Sequence, residues 1–316
     1  MKITKIIKKI KKNPRMILAY INATGVMNYF SDDTIIRMLW WVKTGEKLNI
    51  NSPRTFNEKI QWLKLNNHDP HLHQYVDKYA VRDYVKNILG EDCLIPLIGV
   101  WDNPNEINFN ELPSKFVLKC NHNAAIGLCI CRNKDELDKN YVVKGLKRGL
   151  KNSFYYSSRE WAYKDVPRKV ICEKYMENKN GEELRDYKFF CFNGHAKFVY
   201  ISEGLENHDT ANISFYDLNG NEMPFRRKDY TPFLKKPTFP NNFNEMVEAA
   251  NKLSRNTKLP FVRIDLYSID EKMYFSEITC YPNSGYIPFD PQEWDLIVGE
   301  WIDLSSVQKS NMREVK

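Results

Sequence analysis

The segment Phe261–Gly285, FVRIDLYSIDEKMYFSEITCYPNSG, decides how the rest of the chain is read. Phe261, Arg263, Asp265 and Tyr267 alternate with Val262, Ile264 and Leu266. That period is a strand's, so Arg263 and Asp265 share one face and the aliphatic residues the other. Ser268–Lys272 is polar and predicts a turn. In the returning strand Phe275, Glu277 and Thr279 are expected on one face. A hairpin centred on Asp270 puts Arg263 opposite Glu277 and Asp265 one diagonal step away, about 7–8 Å at the backbone. Two acids and an arginine above a core face make either a solvated face with an Arg–Glu pair or a cation and phosphate site. Mg²⁺ takes one or two carboxylates plus substrate phosphates.

Working outward, Phe243–Asn256 predicts a helix leading into the hairpin, and Phe225–Asn242 a long, basic, proline-bearing loop of the kind found beside substrates. Within it Arg226, Arg227 and Lys228, with Lys235 and Lys236, either meet an acidic substrate or form a solvated loop. Arg185–Phe192 alternates, with Asp186, Lys188 and Phe190 on one face. Asn193-Gly194 predicts a type I′ turn, Ala196–Ser202 the return strand, and Asn212–Asn221 one more hairpin. Lys169–Cys172 is a strand expected to end at Glu173–Met176. Phe116–Lys119, a loop of small residues to Gly127, and Leu128–Cys131 form a strand–loop–strand unit. Small side chains there let backbone N–H groups approach an anion, although the pattern also suits an ordinary hairpin. His122 lies in that loop and could donate to a phosphate. Helices are predicted over 17–47, from the Thr55/Glu58 capping box, over Asp77–Leu89 and over Asp135–Lys151. Leu94–Val100 contains Pro96 and predicts an edge strand or loop. His68, His71 and His73 are expected in a surface loop, with a metal patch as the alternative.

The 316 residues carry a net charge of +7. Residues 1–15 hold seven basic groups and no acid, and without them 40 basic residues face 40 acidic ones. A neutral body argues against a nucleic-acid-binding protein. Ile3, Ile6, Ile7 and Ile10 among the lysines predict a basic amphipathic helix, which either contacts an anionic membrane surface or packs on the body. An apolar run long enough to span a bilayer is missing, so a transmembrane helix is not expected. Seven cysteines, mostly inside apolar runs, suggest reduced thiols in a cytoplasmic protein rather than a disulfide framework.

Taken in order, Pro53–Lys59, Asp77-Lys78 through Arg82, Phe116–Lys119, Ile171–Met176, Asp186–Gly194, Val262–Asp265 and Phe275–Thr279 resemble the ATP-grasp superfamily. The closest likeness is to its branch associated with teichuronopeptide and capsular-polysaccharide synthesis. The resemblance implies an α+β fold, two lobes gripping ATP between antiparallel sheets, preceded by a helical region. The divisions expected are a basic helical segment at 1–50, a pre-ATP-grasp region at 51–112, a small lobe at 113–172, a large lobe at 173–305 and a tail at 306–316. It further implies that Lys119 holds ATP phosphates, with Asn123 to Gly127 as the loop over them. Glu173, Lys174, Tyr175 and Met176 resemble the linker at adenine, with Asp186 near the ribose. Lys188 and Arg263 resemble the catalytic cations, and Asp265 and Glu277 the Mg²⁺ ligands. Many members carry Asn two residues after that Glu; here Thr279 offers one hydroxyl oxygen as the third ligand.

The activity implied is an ATP- and Mg²⁺-dependent ligase that activates a carboxylate as an acyl phosphate and joins it to an amine. The branch implies a uronic-acid carboxylate of a sugar nucleotide or glycan and an amino acid or small amine as its partner; the cysteines and the basic residues 1–15 give the expectation of a cytoplasmic location with contact to the inner membrane face. A glycosyltransferase of polysaccharide synthesis and a non-catalytic ATP-grasp scaffold are the alternatives.

Overall fold

The computed structural model describes residues 7, 8, 10–123, 126–204 and 211–307. Their strands form two antiparallel sheets. In the four-stranded sheet, β1 (Leu97–Trp101), β2 (Phe116–Cys120), β3 (Leu128–Cys131) and β4 (Val170–Lys174) run in the order β1-β4-β2-β3. Pro96 directly precedes β1, an edge strand, where a missing N–H costs the sheet least. Phe116, Leu118 and Cys120 alternate inward onto a core that includes Ile107, Leu112, Val142 and Leu146, the last two from the helix Lys139–Lys151.

That helix meets the sheet at an unusually close approach. A Cβ on Gly149 would stand 2.6 Å from Cys120 Sγ and 2.8 Å from Gly127 Cα. Gly127, at φ 78°, is equally constrained, since its Cβ would lie 2.5 Å from the same sulfur. The glycine of the small-residue loop therefore serves helix–sheet packing.

In the five-stranded sheet, β5 (Asp186–Phe192), β6 (His195–Glu203), β7 (Asn212–Asp217), β8 (Phe261–Ile269) and β9 (Lys272–Thr279) run in the order β7-β6-β5-β8-β9. Asn193 and Gly194 both take positive φ, the type I′ turn that their sequence predicts. Tyr187, Phe189 and Cys191 pair with Leu266, Ile264 and Val262 and back onto the helix Phe243–Thr257. On the opposite face Phe190, Phe198 and Phe215 join Phe56, Phe225 and Phe289 in an aromatic layer. Beside that layer one rung crosses all five strands: Glu277, Asp265, Lys188, Tyr200 and Phe215.

The β8–β9 register differs from the one expected. The turn consists of two residues, Asp270 and Glu271, both at positive φ, and a bulge interrupts the ladder between Asp265 and Leu266. Each adds one residue to the offset. Arg263 consequently faces Thr279, not Glu277, and Asp265 lies directly opposite Glu277 instead of diagonally. The bulge also turns Phe275 to the core face, against Leu266, so it does not share a face with Glu277.

Toward the N-terminus, the region 17–47 divides into the helices Met16–Ala23 and Asp32–Thr44. Thr55 and Glu58 form the capping box of the helix Phe56–Asn66. The helix expected from Asp77 starts at Val81, because Asp77 Oδ1 instead accepts from the Tyr79 and Ala80 amides. Of the basic segment 1–15 that the isoleucine pattern reads, residues 1–6 and 9 lie outside the described residues, as does the tail from 308. The seven cysteines are free thiols.

Gly149→Ala forces the helix off the sheet and should cost about 1–3 kcal/mol. Urea unfolding checks this, and a loss below about 0.5 kcal/mol would show that the contact yields freely.

Candidate active site

Asp265 is fully buried, and its carboxylate accepts from every cation near it. Arg263 donates from Nε to Oδ1 at 2.7 Å and from Nη2 to Oδ2 at 2.6 Å. Lys188 donates to Oδ2 at 3.1 Å. Such charge-assisted, two-pronged contact is what a carboxylate without water requires. Lys188 also lies 3.2 Å from Asp186 Oδ1. Burial alone would lower the Lys188 pKa, but Asp186 and Asp265 outweigh it and hold the amine protonated. Burial raises the Asp186 carboxyl, and Asp265 adds to that against Lys188.

Glu277 is the more accessible acid of the hairpin. Arg263 Nη2 reaches its Oε1 at 3.4 Å and Thr279 Oγ1 at 3.0 Å, and the threonine hydroxyl stands 3.3 Å from the same Oε1. Thr279 thus adjoins Glu277, one of the two acids it was expected to join, and Arg263 rather than Asp265. The remaining Glu277 oxygen contacts Lys78 at 3.3 Å. Burial works against ionisation here, yet Lys78, Arg263 and Lys188 outweigh it and hold the carboxyl at about 2.

Lys78 had no role assigned from the sequence, and its position explains one. Its Nζ donates to the Asn123 carbonyl at 3.1 Å while contacting Glu277, so it ties the loop after β2 to the larger sheet. Asp77 secures this turn from behind by accepting from Asn121 Nδ2 at 2.8 Å. An Asp-Lys pair just before a helix was the available signal, because an aspartate there closes a turn on the following amides and leaves the next side chain outside the helix.

On the smaller sheet Lys119 contacts Glu173 at 2.6 Å, and Arg82 reaches the other oxygen of Glu173 at 3.5 Å. Glu173 and Lys174 lie within β4 rather than in a linker, and the Lys174 amide is committed to the Pro96 carbonyl at 2.9 Å. Tyr175 and Met176 lie beyond the strand. Lys115 and Arg132 stand over the Tyr175 ring.

Two side chains of the loop turn inward. Asn123 turns its side chain inward, donating to the Gly149 carbonyl at 2.8 Å. His122 is buried, its ring nitrogens on the Asn152 carbonyl and Asn121 Oδ1 at 3.1 and 3.3 Å, so it does not face a phosphate. Burial lowers its pKa accordingly. Residues 124 and 125 lie outside the described residues. Of the three clustered histidines, His68 and His73 stack on Trp161, and His71 bonds Asp69 at 2.8 Å. His71 and His73 belong to the helix His71–Val76 rather than to a loop, and among the described residues no group of three metal-ligating side chains forms.

Beyond β9, the turn Pro282–Gly285 holds Asn283 and Ser284 at φ 51° and 55°, uncommon for residues other than glycine. A buried lysine stabilises it: Lys64 donates to the Ser284 carbonyl at 2.7 Å and Ser158 at 3.1 Å. Gln61 adds bonds to the Ser284 and Gly285 carbonyls. Burial pushes Lys64 down to about 8, with Glu160 opposing.

These residues suit a magnesium nucleotide. Asp265, Glu277 and Thr279 present hard oxygen donors on adjacent strands, the set Mg²⁺ takes along with substrate phosphates. Ser202 Oγ, across the β5–β6 ladder from Asp186, is buried without a hydrogen-bond partner among the described residues, which fits a polar ligand group such as a ribose hydroxyl.

Two antiparallel sheets with a cationic cluster between them define an ATP-grasp protein. The TupA-like ATPgrasp family matches residues 58–303, and the chain belongs to it. Solved structures with similar folds include D-alanine–D-alanine ligase from Helicobacter pylori, 17% identical with a TM-score of 0.42 over 72% of this chain and 61% of that one. The Bacillus anthracis enzyme complexed with ATP is 15% identical, with a TM-score of 0.43 over 76% and 67% of the two chains. D-cycloserine synthetase is 15% identical, with a TM-score of 0.42 over 74% and 72%. This chain therefore spans less than two thirds of the length of the Helicobacter ligase. A search of curated proteins returned no match.

The Glu277 carboxyl titrates near 2 in the folded protein, against 4.5 for an ordinary glutamate. The unfolded chain binds more protons between those values. The stabilisation is therefore complete above about pH 4.5 and is lost as pH falls toward 2. In Lys78→Met the Glu277 carboxyl should titrate measurably higher by ¹³C NMR, and an unmoved midpoint would remove Lys78 as a principal cause.

Proposed function

We propose that this protein is an ATP- and Mg²⁺-dependent carboxylate–amine ligase. The observation that carries the reading is a pair of ionic groups on the two antiparallel sheets: Lys78, Lys188 and Arg263 with Asp186, Asp265 and Glu277 at the larger, and Lys119 and Arg82 with Glu173 at the smaller. Paired with carboxylates, these cations lie ready for phosphate oxygens. In this reading residues 113–172 form the small lobe and 173–305 the large one, with β1 added to the small sheet.

Bound MgATP would supply the phosphoryl group that converts the substrate carboxylate into an acyl phosphate, which an amine displaces to give an amide. Glu277, Asp265 and Thr279 would hold the metal, Asp265 by exchanging a contact with Arg263 or Lys188. Arg263 and Lys188 would then neutralise charge at the transferring group, where fixed cations shielded from water act most strongly. Lys119 would hold phosphates, the backbone of Asn123 to Gly127 would cover them, Tyr175 and Met176 would contact adenine, and Asp186 the ribose. Lys78 would link closure of the loop to the metal site through Asn123 and Glu277. Glu173 and Lys174 act through position, Glu173 by orienting Lys119.

The substrates we assign are a uronic-acid carboxylate, on a sugar nucleotide or glycan, and an amino acid or small amine, in bacterial capsular or surface polysaccharide synthesis. The location we assign is cytoplasmic, with residues 1–15 at the inner membrane face. Basic groups at the N-terminus beside exposed Ile17, Val26, Tyr29 and Phe30 support that contact, and among the described residues no helix is long and apolar enough to cross a bilayer.

ADP release should require ATP, Mg²⁺, a UDP-uronic acid and an amine together, with an amide product by mass spectrometry. UDP release without ADP would instead indicate a glycosyltransferase, and nucleotide binding without turnover a scaffold. Asp265→Asn and Glu277→Gln should each lower turnover by about 10²-fold or more with the circular dichroism of the parent. Parental turnover in either removes that residue from the metal site. Deleting residues 1–15 should abolish sedimentation with phosphatidylserine vesicles; equal binding with and without them excludes the membrane contact.

A further inference from the structure

Without residues 1–15 the chain balances 40 basic against 40 acidic residues, yet its charges are unevenly spread. From Lys139 to Arg159 there are six basic residues and no acid. The helix Lys139–Lys151 buries Val142, Leu146 and Gly149 and leaves Lys144, Lys147, Arg148 and Lys151 exposed. Among the described residues these four cations enter no ion pair. Basic side chains in a last turn ordinarily complement the free carbonyls there. Here Arg168 already does so, donating to the Leu150 and Lys151 carbonyls at 2.9 and 3.3 Å. The cations of the helix itself therefore remain available to an outside partner.

A second exposed surface is tied to the end of that helix. The turn between the helices Met16–Ala23 and Asp32–Thr44 presents Val26, Tyr29 and Phe30 at 68%, 98% and 56% exposure. Single exposed apolar residues are ordinary, but three within five residues of one turn make a patch. The turn is held in place. Asn22 donates to the Tyr156 and Ser157 carbonyls at 3.1 and 3.4 Å, and Arg159 to the Met27 carbonyl at 2.9 Å. Buried Arg159 also meets Asp32 at 3.3 Å, and the Tyr155 hydroxyl donates to the same carboxylate at 2.6 Å. These bonds fix the turn against residues 155–159, which begin four positions beyond Lys151 and include the exposed Tyr156. Ile17 and Ile21, one helical turn apart, are exposed as well, and Lys11, Lys12 and Arg15 lead into their helix.

The pairing of cations with apolar groups selects the partner. An acidic protein or soluble acidic polymer would match the cations and leave Tyr29 and Phe30 in water. A lipid surface matches both, because anionic headgroups meet lysine and arginine while aromatic and aliphatic side chains enter the layer beneath them.

We propose that the folded body docks on an anionic membrane through the turn Val26–Phe30 and the basic end of the helix Lys139–Lys151. This deepens the reading of membrane contact, which assigns it to residues 1–15. The turn inserts, and the helix adds charge from a separate part of the chain.

Sedimentation of the full-length protein with vesicles of phosphatidylcholine, with and without phosphatidylserine, tests this. Lys147→Gln/Arg148→Gln/Lys151→Gln should weaken binding to the phosphatidylserine vesicles about tenfold or more. Tyr29→Ser/Phe30→Ser should do so to a similar degree, about tenfold. Both should keep the melting temperature and MgADP affinity of the parent. In the wild type, amide hydrogen exchange in the turn should slow on the vesicles, which checks the contact without a substitution. Parental binding by either variant, unchanged exchange in the turn, or wild-type binding to soluble polyglucuronate with none to vesicles overturns the docking surface. If deleting residues 1–15 changes nothing while both variants lose binding, the N-terminal contact fails and the docking surface stands. If the deletion abolishes binding and the variants bind as the parent does, the N-terminal contact is kept and the docking surface is removed. A wild type that binds neither vesicle removes both.

Discussion

A carboxylate removed entirely from water must be surrounded by cations, and Asp265 imposes that condition on its neighbourhood. Arg263 and Lys188 satisfy it from β8 and β5, so two strands are joined by charge as well as by their ladder. The same two side chains reach Glu277 and Asp186. Asp265 therefore orders the polar half of the sheet face, as the phenylalanine layer orders the other half. Replacing one partner would leave a buried charge uncompensated, which is more costly than the pair is stabilising.

The arrangement extends from the hairpin to the other sheet through Lys78. A lysine that contacts Glu277 and the Asn123 carbonyl couples the charge of the larger sheet to the loop of the smaller one. Behind it, Asp77 and Asn121 fix the turn and the loop to each other. Cys120, Gly127 and Gly149 then set where that loop leaves the sheet. Side chains on the smaller sheet repeat the pattern, with Glu173 held between Lys119 and Arg82.

Much of this was legible in the chain's order of residues. Alternation put Lys188 with Asp186 on one face of Asp186–Phe192 and Arg263 with Asp265 on one face of Phe261–Tyr267, since side-chain direction in a strand follows from local geometry; the pairing of the two strands brought those faces together. Thr55 with Glu58 and Asn193-Gly194 were legible for the same reason: capping and turn preferences act within a few residues. The register of β8 on β9 was not, because a bulge is a property of two strands together. Nor was the inward turn of Asn123 and His122, whose partners Gly149 and Asn152 lie almost thirty residues away.

Local periodicity thus determined which residues stand on which face, and the order of motifs identified the superfamily. Only the tertiary structure decided which charges meet. Lys78 and Glu277, or Arg227 and Asn283, are brought together by packing between elements distant in the chain, and electrostatic and hydrogen-bonding energies depend on separation in space. The same reason divides Arg227 from Arg226 and Lys228: three adjacent basic residues read alike until the Asp290 contact and the aromatic cleft give them different surroundings.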